Sequence, residues 1–478
     1  MTDVLRHSTE TAPNARLLTR EEWERERIAQ LVHAERTTKS GSYVLVLNTG
    51  ALIKPEGRAM LQALHSRSVG GVKSHLKTLA EKGPEKFIKT YFVGYGHKSV
   101  GDMAECIIFA ENISMLCAKA IQDNRLYRGQ EASTRYIDFA EQPFLDPLKT
   151  PLSADIQEHW RRAYVRTRTE LIPLLREQFP RKGDEPEKMH QNAIEARAYD
   201  ISRCLLPAGA ATNIAWTGDF RTAADKLCWL RHHPLAEVRE VALAIEDALI
   251  EMHPSGFSNK RYEESESYYA RAMRSYYFSP SRHPDWLCKN SIDTTLLEGN
   301  NTFDLLWSRP PKTELPKWIE EAGTVRFDFL LDFGSFRDVQ RHRAIVQRMP
   351  LLTTRFGFEE WYLRQMPGMT CVNALSDIDE GQFMLEELNT TPEIAQYYIP
   401  MGYRVPNRIV GSLPALVYLV ELRANRFTHP TLREKAQSMA EHLAHTFRTH
   451  GLQIHLDPDP DRFDIRRGEQ TIVDKEVL

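Results

Sequence analysis

The pattern of apolar and polar positions along the chain changes its period several times. Ser42-Tyr-Val-Leu-Val-Leu-Asn48, closed by Thr49-Gly50, is a short β-rich run ended by a turn signal, and it predicts a buried strand. Residues 1–40 are charged and predict a helical extension, in which Glu21-Glu-Trp-Glu-Arg-Glu-Arg27 forms a solvated face. Residues 56–90 predict helix. Gly94-Tyr-Gly-His97-Lys-Ser99 predicts a loop, and a further helix is expected over 102–122. Phe329, Phe333 and Phe336, spaced four and three apart, predict an apolar helix face that packs into a core. The end of the chain, from Asp457-Pro-Asp-Pro-Asp461 onward, predicts a polar tail with little core to bury. Eighteen uninterrupted apolar residues occur nowhere, so no membrane span is expected.

Two arginine-rich segments, 218 residues apart, look like altered copies of one motif. The first reads Gln122-Asp-Asn-Arg125-Leu-Tyr-Arg128-Gly-Gln130-Glu131-Ala-Ser133-Thr-Arg135-Tyr136, and the second begins Gln340-Arg341-His342-Arg343 and ends Thr353-Thr-Arg355-Phe356. A second pair follows: Ser202-Arg203-Cys-Leu-Leu-Pro207-Ala-Gly209 against Ala395-Gln396-Tyr-Tyr-Ile-Pro400-Met-Gly402. Each of these leads to an arginine, Arg231 or Arg423, and then to a His-Pro pair that opens an amphipathic helix. Landmarks repeating in one order predict a tandem duplication, with its seam between 255 and 290.

Length and composition agree with that parsing. A chain of 478 residues exceeds one ordinary core, and 42% hydrophobic with 27% charged residues is the balance of a soluble globular protein. Six cysteines without a Cys-x-x-Cys pair argue against a disulfide scaffold or a thiolate zinc site. They fit a reducing cytosol. The N-terminal residues lack the apolar stretch of a secretory signal, so a cytoplasmic location is expected. At a net charge of −3 the whole molecule does not attract nucleic acid, so any anion site must be local.

Both halves resemble the flavin-dependent thymidylate synthase family, whose signature runs Arg-His-Arg, Ser, Asn-Glu and Ser-x-Arg-Tyr. The resemblance implies an α+β chain, two tandem copies of that mixed fold with long helices: an extension over 1–40, a first copy over 41–258, a second over 259–454 and a tail over 455–478. It implies an enzyme that methylates dUMP to dTMP with FAD, NADPH and methylene-tetrahydrofolate. Because family sites form between subunits, it also implies a homodimer acting as a pseudo-tetramer.

By the same resemblance, the first half keeps the nucleotide side. Ser133, Arg135 and Arg203 match phosphate ligands, where guanidinium forks meet paired oxygens. Glu131 and Arg231 match catalytic positions, the arginine stabilising charge on the base. His97 and Ser99 match the loop that packs on the flavin, and Arg125 the last arginine of the cofactor motif. Asp123-Asn124 replace Arg-His, Arg128 replaces Ser, Gln130 replaces Asn, and Asp219 replaces an Asn. The second half keeps the flavin side in Arg341, His342 and Arg343, with Thr353, Arg355 and Arg423 as further phosphate or substrate ligands. It lacks the glutamate, and Gln396 replaces the phosphate arginine. The expected site therefore pairs Ser133, Arg135, Arg203 and Arg231 of one half with Arg341, His342 and Arg343 of the other. The rival readings are a flavoenzyme acting on another pyrimidine nucleotide, a non-catalytic nucleotide or flavin binder, and an RNA-binding stripe along Arg337, Arg341, Arg343, Arg348 and Arg355.

Overall fold

The computed structural model describes residues 32–48, 54–60, 84–94, 98–257, 261–298, 301–458 and 463–470. Two antiparallel sheets with helices packed on them organise these residues. The first is built from β1 (Val32–Thr37), β2 (Tyr43–Asn48), β3 (Glu105–Ser114), β4 (Arg128–Glu131) and β5 (Ala211–Asp219), in the order β1-β2-β3-β5-β4. The second is built from β6 (Trp286–Ile292), β7 (Gly323–Asp332), β8 (Val346–Gln347) and β9 (Arg404–Gly411), in the order β6-β7-β9-β8. Apart from β1, the two sheets therefore share one topology.

Period-two burial explains the central strands. Along β3, Cys106, Ile108 and Ala110 turn to one buried face, where Val44 lies opposite Ala110 and Val46 opposite Ile108. The helix expected over 102–122 is accordingly a strand first. It becomes helix only at α1 (Met115–Gln122), because the Cys-Ile-Ile-Phe run pairs with β2 and β5 on both sides. Ser114 ends the strand and caps α1, its Oγ accepting from the Cys117 amide. Asp332 does the same at the end of β7, capping α7 (Phe333–Val339) through the Ser335 amide. Phe329 therefore stands on a strand while Phe333 and Phe336 stand on the helix, although all three are buried as expected.

Two more expectations change. Residues 32–37 form a strand, not helix, because they pair with β2 along their whole length; the rest of the 1–40 extension lies outside the described residues. The polar tail is not bare either, since Phe463 and the turn Ile465–Gln470 pack on the first half.

The remaining helices complete the layers. In the first half they are α2 (Pro151–Gln178), α3 (Glu187–Ser202), α4 (Phe220–Leu230) and α5 (Ala236–Met252); α6 (Glu263–Met273) lies at the expected seam. The second half adds α8 (Met369–Glu386), α9 (Leu413–Arg423) and α10 (Pro430–Thr446). One apolar core serves the first sheet and also takes Phe333, Phe336, Tyr362, Tyr397 and Tyr398 from the second half. A second core lies between β7, β9, α9 and α10.

The halves meet by reciprocal hydrogen bonds. Ala208 N donates to Ile399 O (3.0 Å) and Met401 N to Leu206 O (2.9 Å); Gly209 N donates to Tyr397 O (3.0 Å) and Gly402 N to Cys204 O (2.8 Å). Each bond is the image of its partner under exchange of the segments around Pro207 and Pro400, as at an isologous two-fold contact. The approach is close enough to require glycine: a Cβ on Gly209 would stand 2.4 Å from Tyr397 O.

Candidate functional site

After α7 the chain turns toward β8, and this turn sets Arg341, His342 and Arg343 beside β4 of the first half. Arg341 Nη2 donates to Gln130 Oε1 at 3.4 Å, and Arg343 Nη1 to the Tyr127 carbonyl at 3.1 Å. Both side chains are exposed, and among the described residues neither has a carboxylate within ion-pair distance. His342 is buried instead. Its Nε2 accepts from Arg423 Nε at 2.7 Å, which fixes the imidazole as neutral with its proton on Nδ1. Burial, reinforced by the Arg423 charge, pushes His342 down to about 3. Arg423 is further fixed by a 2.8 Å bond to the Asp338 carbonyl.

These groups line a groove of about 750 Å³ whose cations are Lys317, Arg341, Arg343 and Arg423. It shares Leu315, Pro414, Tyr418 and Leu422 with an adjoining, more apolar chamber of about 760 Å³ that reaches Val417 and Ile454. Glu314 and Glu320 also line the groove, so its anion-binding end is the side formed by Arg341, Arg343 and Arg423, and the apolar chamber beyond suits flat rings.

Beneath the groove lie the first-half arginines. Asp338 marks the junction: burial opposes its charge, but Arg423, Arg135, Arg203 and Arg341 outweigh burial and hold its carboxyl below the ordinary value. Arg135 forks onto Asp200 (Nε to Oδ1 2.6 Å, Nη2 to Oδ2 3.1 Å), and its third bond goes to the Phe427 carbonyl (3.0 Å). Ser133 Oγ accepts from the Arg135 amide. Arg203, only 2% exposed, donates to Ser335 Oγ (2.9 Å) and Tyr362 OH (3.3 Å), with Asp332 3.6 Å away. First-half Arg135 and Arg203 therefore do converge with second-half Arg341, His342 and Arg423, but each already has a protein partner.

Glu131 lies at the same seam as an ion-pair hub. Its carboxylate meets Lys119 Nζ at 2.7 Å and also the Arg337 guanidinium. Burial opposes its charge, and Arg337 and Lys119 outweigh burial and hold the carboxyl below its usual range. Lys119 is fully buried, and burial brings it down to about 8 despite Glu131.

Other expected residues stand elsewhere. Arg231 is apart from the cluster, tied to Glu246 (3.3 Å) and to Glu266 of α6 (2.6 Å). Arg355 is exposed, donates to the Pro280 carbonyl and lies 4.6 Å over Phe356. Thr353 Oγ1 is buried nearby. Arg125 and Ser99 are exposed, and His97 lies outside the described residues. Arg337 is buried, which breaks the continuous stripe that RNA binding would need. Asp219, where the family has Asn, caps α4 through the Thr222 amide (2.7 Å).

Residues 52–255, which carry β3, β5 and the first motif, match a family model described as Thy1, thymidylate synthase complementing protein. Over these residues the chain is similar to the Thy1 family. The match supports a flavin-dependent thymidylate synthase-like function and a pyrimidine nucleotide as ligand. It occurs once, over the first half only. The chain is also similar to a UPF0159 protein of Chlamydia muridarum, at 26% identity over 75% of this chain and 78% of the relative. A UPF0159 protein of Chlamydia pneumoniae matches at 26% over the same shares. One of Thermoplasma acidophilum matches at 23% over 75% of this chain and 86% of its own length. No helix among the described residues is long and apolar enough to cross a membrane.

Asp200, Asp338 and Lys119 were not expected. Lys119 and Arg337 did carry a signal, because they are separated by the same 218 residues as the two motifs.

Proposed function

We propose that the chain is two diverged Thy1-like copies forming one FAD-dependent thymidylate synthase-like site, which methylates dUMP to dTMP with methylene-tetrahydrofolate and NADPH. The observation that carries this is the juxtaposition of Arg341, His342 and Arg343 with Tyr127 and Gln130 of the Thy1 segment, above Arg135 and Arg203. The groove fits a flavin dinucleotide by its donor set: Arg341 and Arg343 present guanidinium forks that no carboxylate occupies among the described residues, and Tyr418, Leu315 and Leu422 offer flat apolar walls. Arg341 and Arg343 would hold the pyrophosphate, and neutral His342 would keep Arg423 aimed into the groove. A flavin held there would supply, as hydride, the electron pair that NADPH gives it, so that the methylene exchanged for the uracil ring proton would end as methyl and the carrier would leave as tetrahydrofolate. Arg135 and Arg203 would orient the nucleotide phosphate. By the same reading two chains form a pseudo-tetramer, and the protein works in the cytoplasm.

Asp200 on the fork of Arg135 favours a second reading, a nucleotide or flavin binder without turnover. Two measurements decide. The purified chain should be yellow, and Arg341→Ala should strip the flavin; full flavin retention in that variant would defeat the assignment. Ring-labelled dUMP, supplied with NADPH and methylene-tetrahydrofolate, should release its label to water. Flavin without release selects the second reading.

A further inference from the structure

We infer that the C-terminal segment Phe463–Gln470 completes a phosphate site, with Arg467 as a ligand brought in from outside the Thy1 segment. This rests on reading Arg135 as the nucleotide arm. Arg467 is 8% exposed and lies 5.5 Å from the ring of Tyr136, the neighbour of Arg135. Its Nη1 bonds the same Asp200 carboxylate that Arg135 grips, so two guanidiniums share one carboxylate and a positive charge is left over. Its Nε and Nη2 are buried and have no hydrogen-bond partner among the described residues. A buried cation with two idle donors is costly unless an acceptor joins it. Arg197, which also donates to Gln365 Oε1 at 3.0 Å, lines the same space, as do Arg426, which Asp457 pairs, and Asp464, which Arg466 pairs. The acceptor that fits is a doubly charged oxyanion, the phosphate monoester of a nucleotide.

The segment must move to admit it. The space between these side chains is about 10 Å³, room for a single water. The contacts that must open are the stack of Phe463 on Phe179 at 4.8 Å and on the edge of His190 at 5.7 Å, the 3.4 Å bond from Asn192 Nδ2 to the Gly468 carbonyl, the close approach of Gly468 to Met189, and the Arg467–Asp200 ion pair itself. When it lifts, phosphate reaches Arg135. When it returns, Arg467 closes on the phosphate with the donors now idle.

Calorimetric titration of the full chain with inorganic phosphate, dUMP and deoxyuridine tests this, using wild type, Arg467→Ala, Arg467→Lys and Phe463→Ala. Arg467→Ala should weaken phosphate and dUMP about tenfold, which is ~1.4 kcal/mol, and leave deoxyuridine unchanged. Arg467→Lys should restore part of the loss. Phe463→Ala, which loosens the segment and keeps the guanidinium, should weaken both anions less than Arg467→Ala does, and it serves if Arg467→Ala does not fold. Equal or tighter phosphate binding without Arg467 would show a plug and overturn the inference, as would a wild-type chain binding neither anion. Arg467-dependent phosphate binding with no dUMP binding would instead refute the functional reading and leave this site standing.

Discussion

Glu131 is the residue whose expected role the structure alters most, and Glu131→Gln separates the two roles. The substitution keeps shape and removes the charge that answers both Lys119 and Arg337. Lys119 can respond by losing its proton. Its value is already about 8 with Glu131 present, so at pH 7 its share of the cost is capped near one unit, ~1.4 kcal/mol. Arg337 cannot deprotonate and keeps its charge. Removing the partner of a buried cation costs about 3–5 kcal/mol, and the low end applies because Thr134 Oγ1 and the Ala132 carbonyl stay within 3.4 Å. The total is about 4 kcal/mol, and the urea midpoint should fall by on the order of 1 M. The pH dependence adds a sign. Lys119 titrates lower in the folded state than its ordinary 10.5, so the native state binds fewer protons and this group makes stability rise with pH across about 8 to 10.5. In Glu131→Gln, which loses the carboxylate that raises Lys119, that rise should begin at lower pH. Urea unfolding at pH 6 to 10 reads both effects. Unchanged midpoints together with lost dUMP turnover would refute the structural role and return Glu131 to the chemistry.

Three further outcomes follow from named contacts. His342→Ala removes the acceptor that holds Arg423 and should cut flavin affinity about tenfold. Because burial keeps His342 neutral down to about 3 while the unfolded imidazole gains a proton below its ordinary 6.5, wild-type stability should fall as pH drops through that range. Urea midpoints of the two proteins from pH 4 to 8 should converge on the acid side, and parallel curves would show no such contribution. Gly381→Val places a Cβ 2.2 Å from Trp160 Cζ2 where α8 crosses α2, and it should cost about 1–3 kcal/mol in thermal unfolding without changing flavin content. Arg231→Ala should leave flavin and nucleotide binding intact while loosening α6, detectable by faster proteolysis near Glu266; loss of dUMP binding would restore its expected catalytic place.

Legibility followed how local each signal was. The Tyr43–Asn48 strand was readable because its apolar run is short and closed by a turn signal, and the expected helix over 102–122 failed because it opens with a similar run. Cys106–Ile108 is equally apolar, and only its pairing with β2 and β5 decides that it is a strand. The likeness of the two halves was legible through similar side chains that recur in the same order. Its physical meaning, reciprocal hydrogen bonds around Pro207 and Pro400, lay in backbone atoms that no motif encodes. The site arginines were legible by type. Their partners were not, because Asp200 and Asp338 sit on ordinary helical stretches where an acid is unremarkable.

Positions that the proposed duplication would make equivalent differ in electrostatics, and this bears on how two such copies would divide their work. Arg423 ends α9 with a neutral imidazole and a backbone carbonyl as its partners, and it opens on the basic groove. Arg231 stands at the same place after α4, but Glu246 and Glu266 neutralise it, the latter carried by the helix at the seam. Arg203 is a buried cation in the first half, while Gln396 at the matching place is neutral and accepts from the Leu352 amide. If both sites had merely decayed, losses would fall on both alike. Instead, acids answer Arg231 in the first half and Gln396 removes the charge in the second, so each half keeps the arginine that the other has lost. The two arginines that remain, Arg203 of the first half and Arg423 of the second, both act on Asp338.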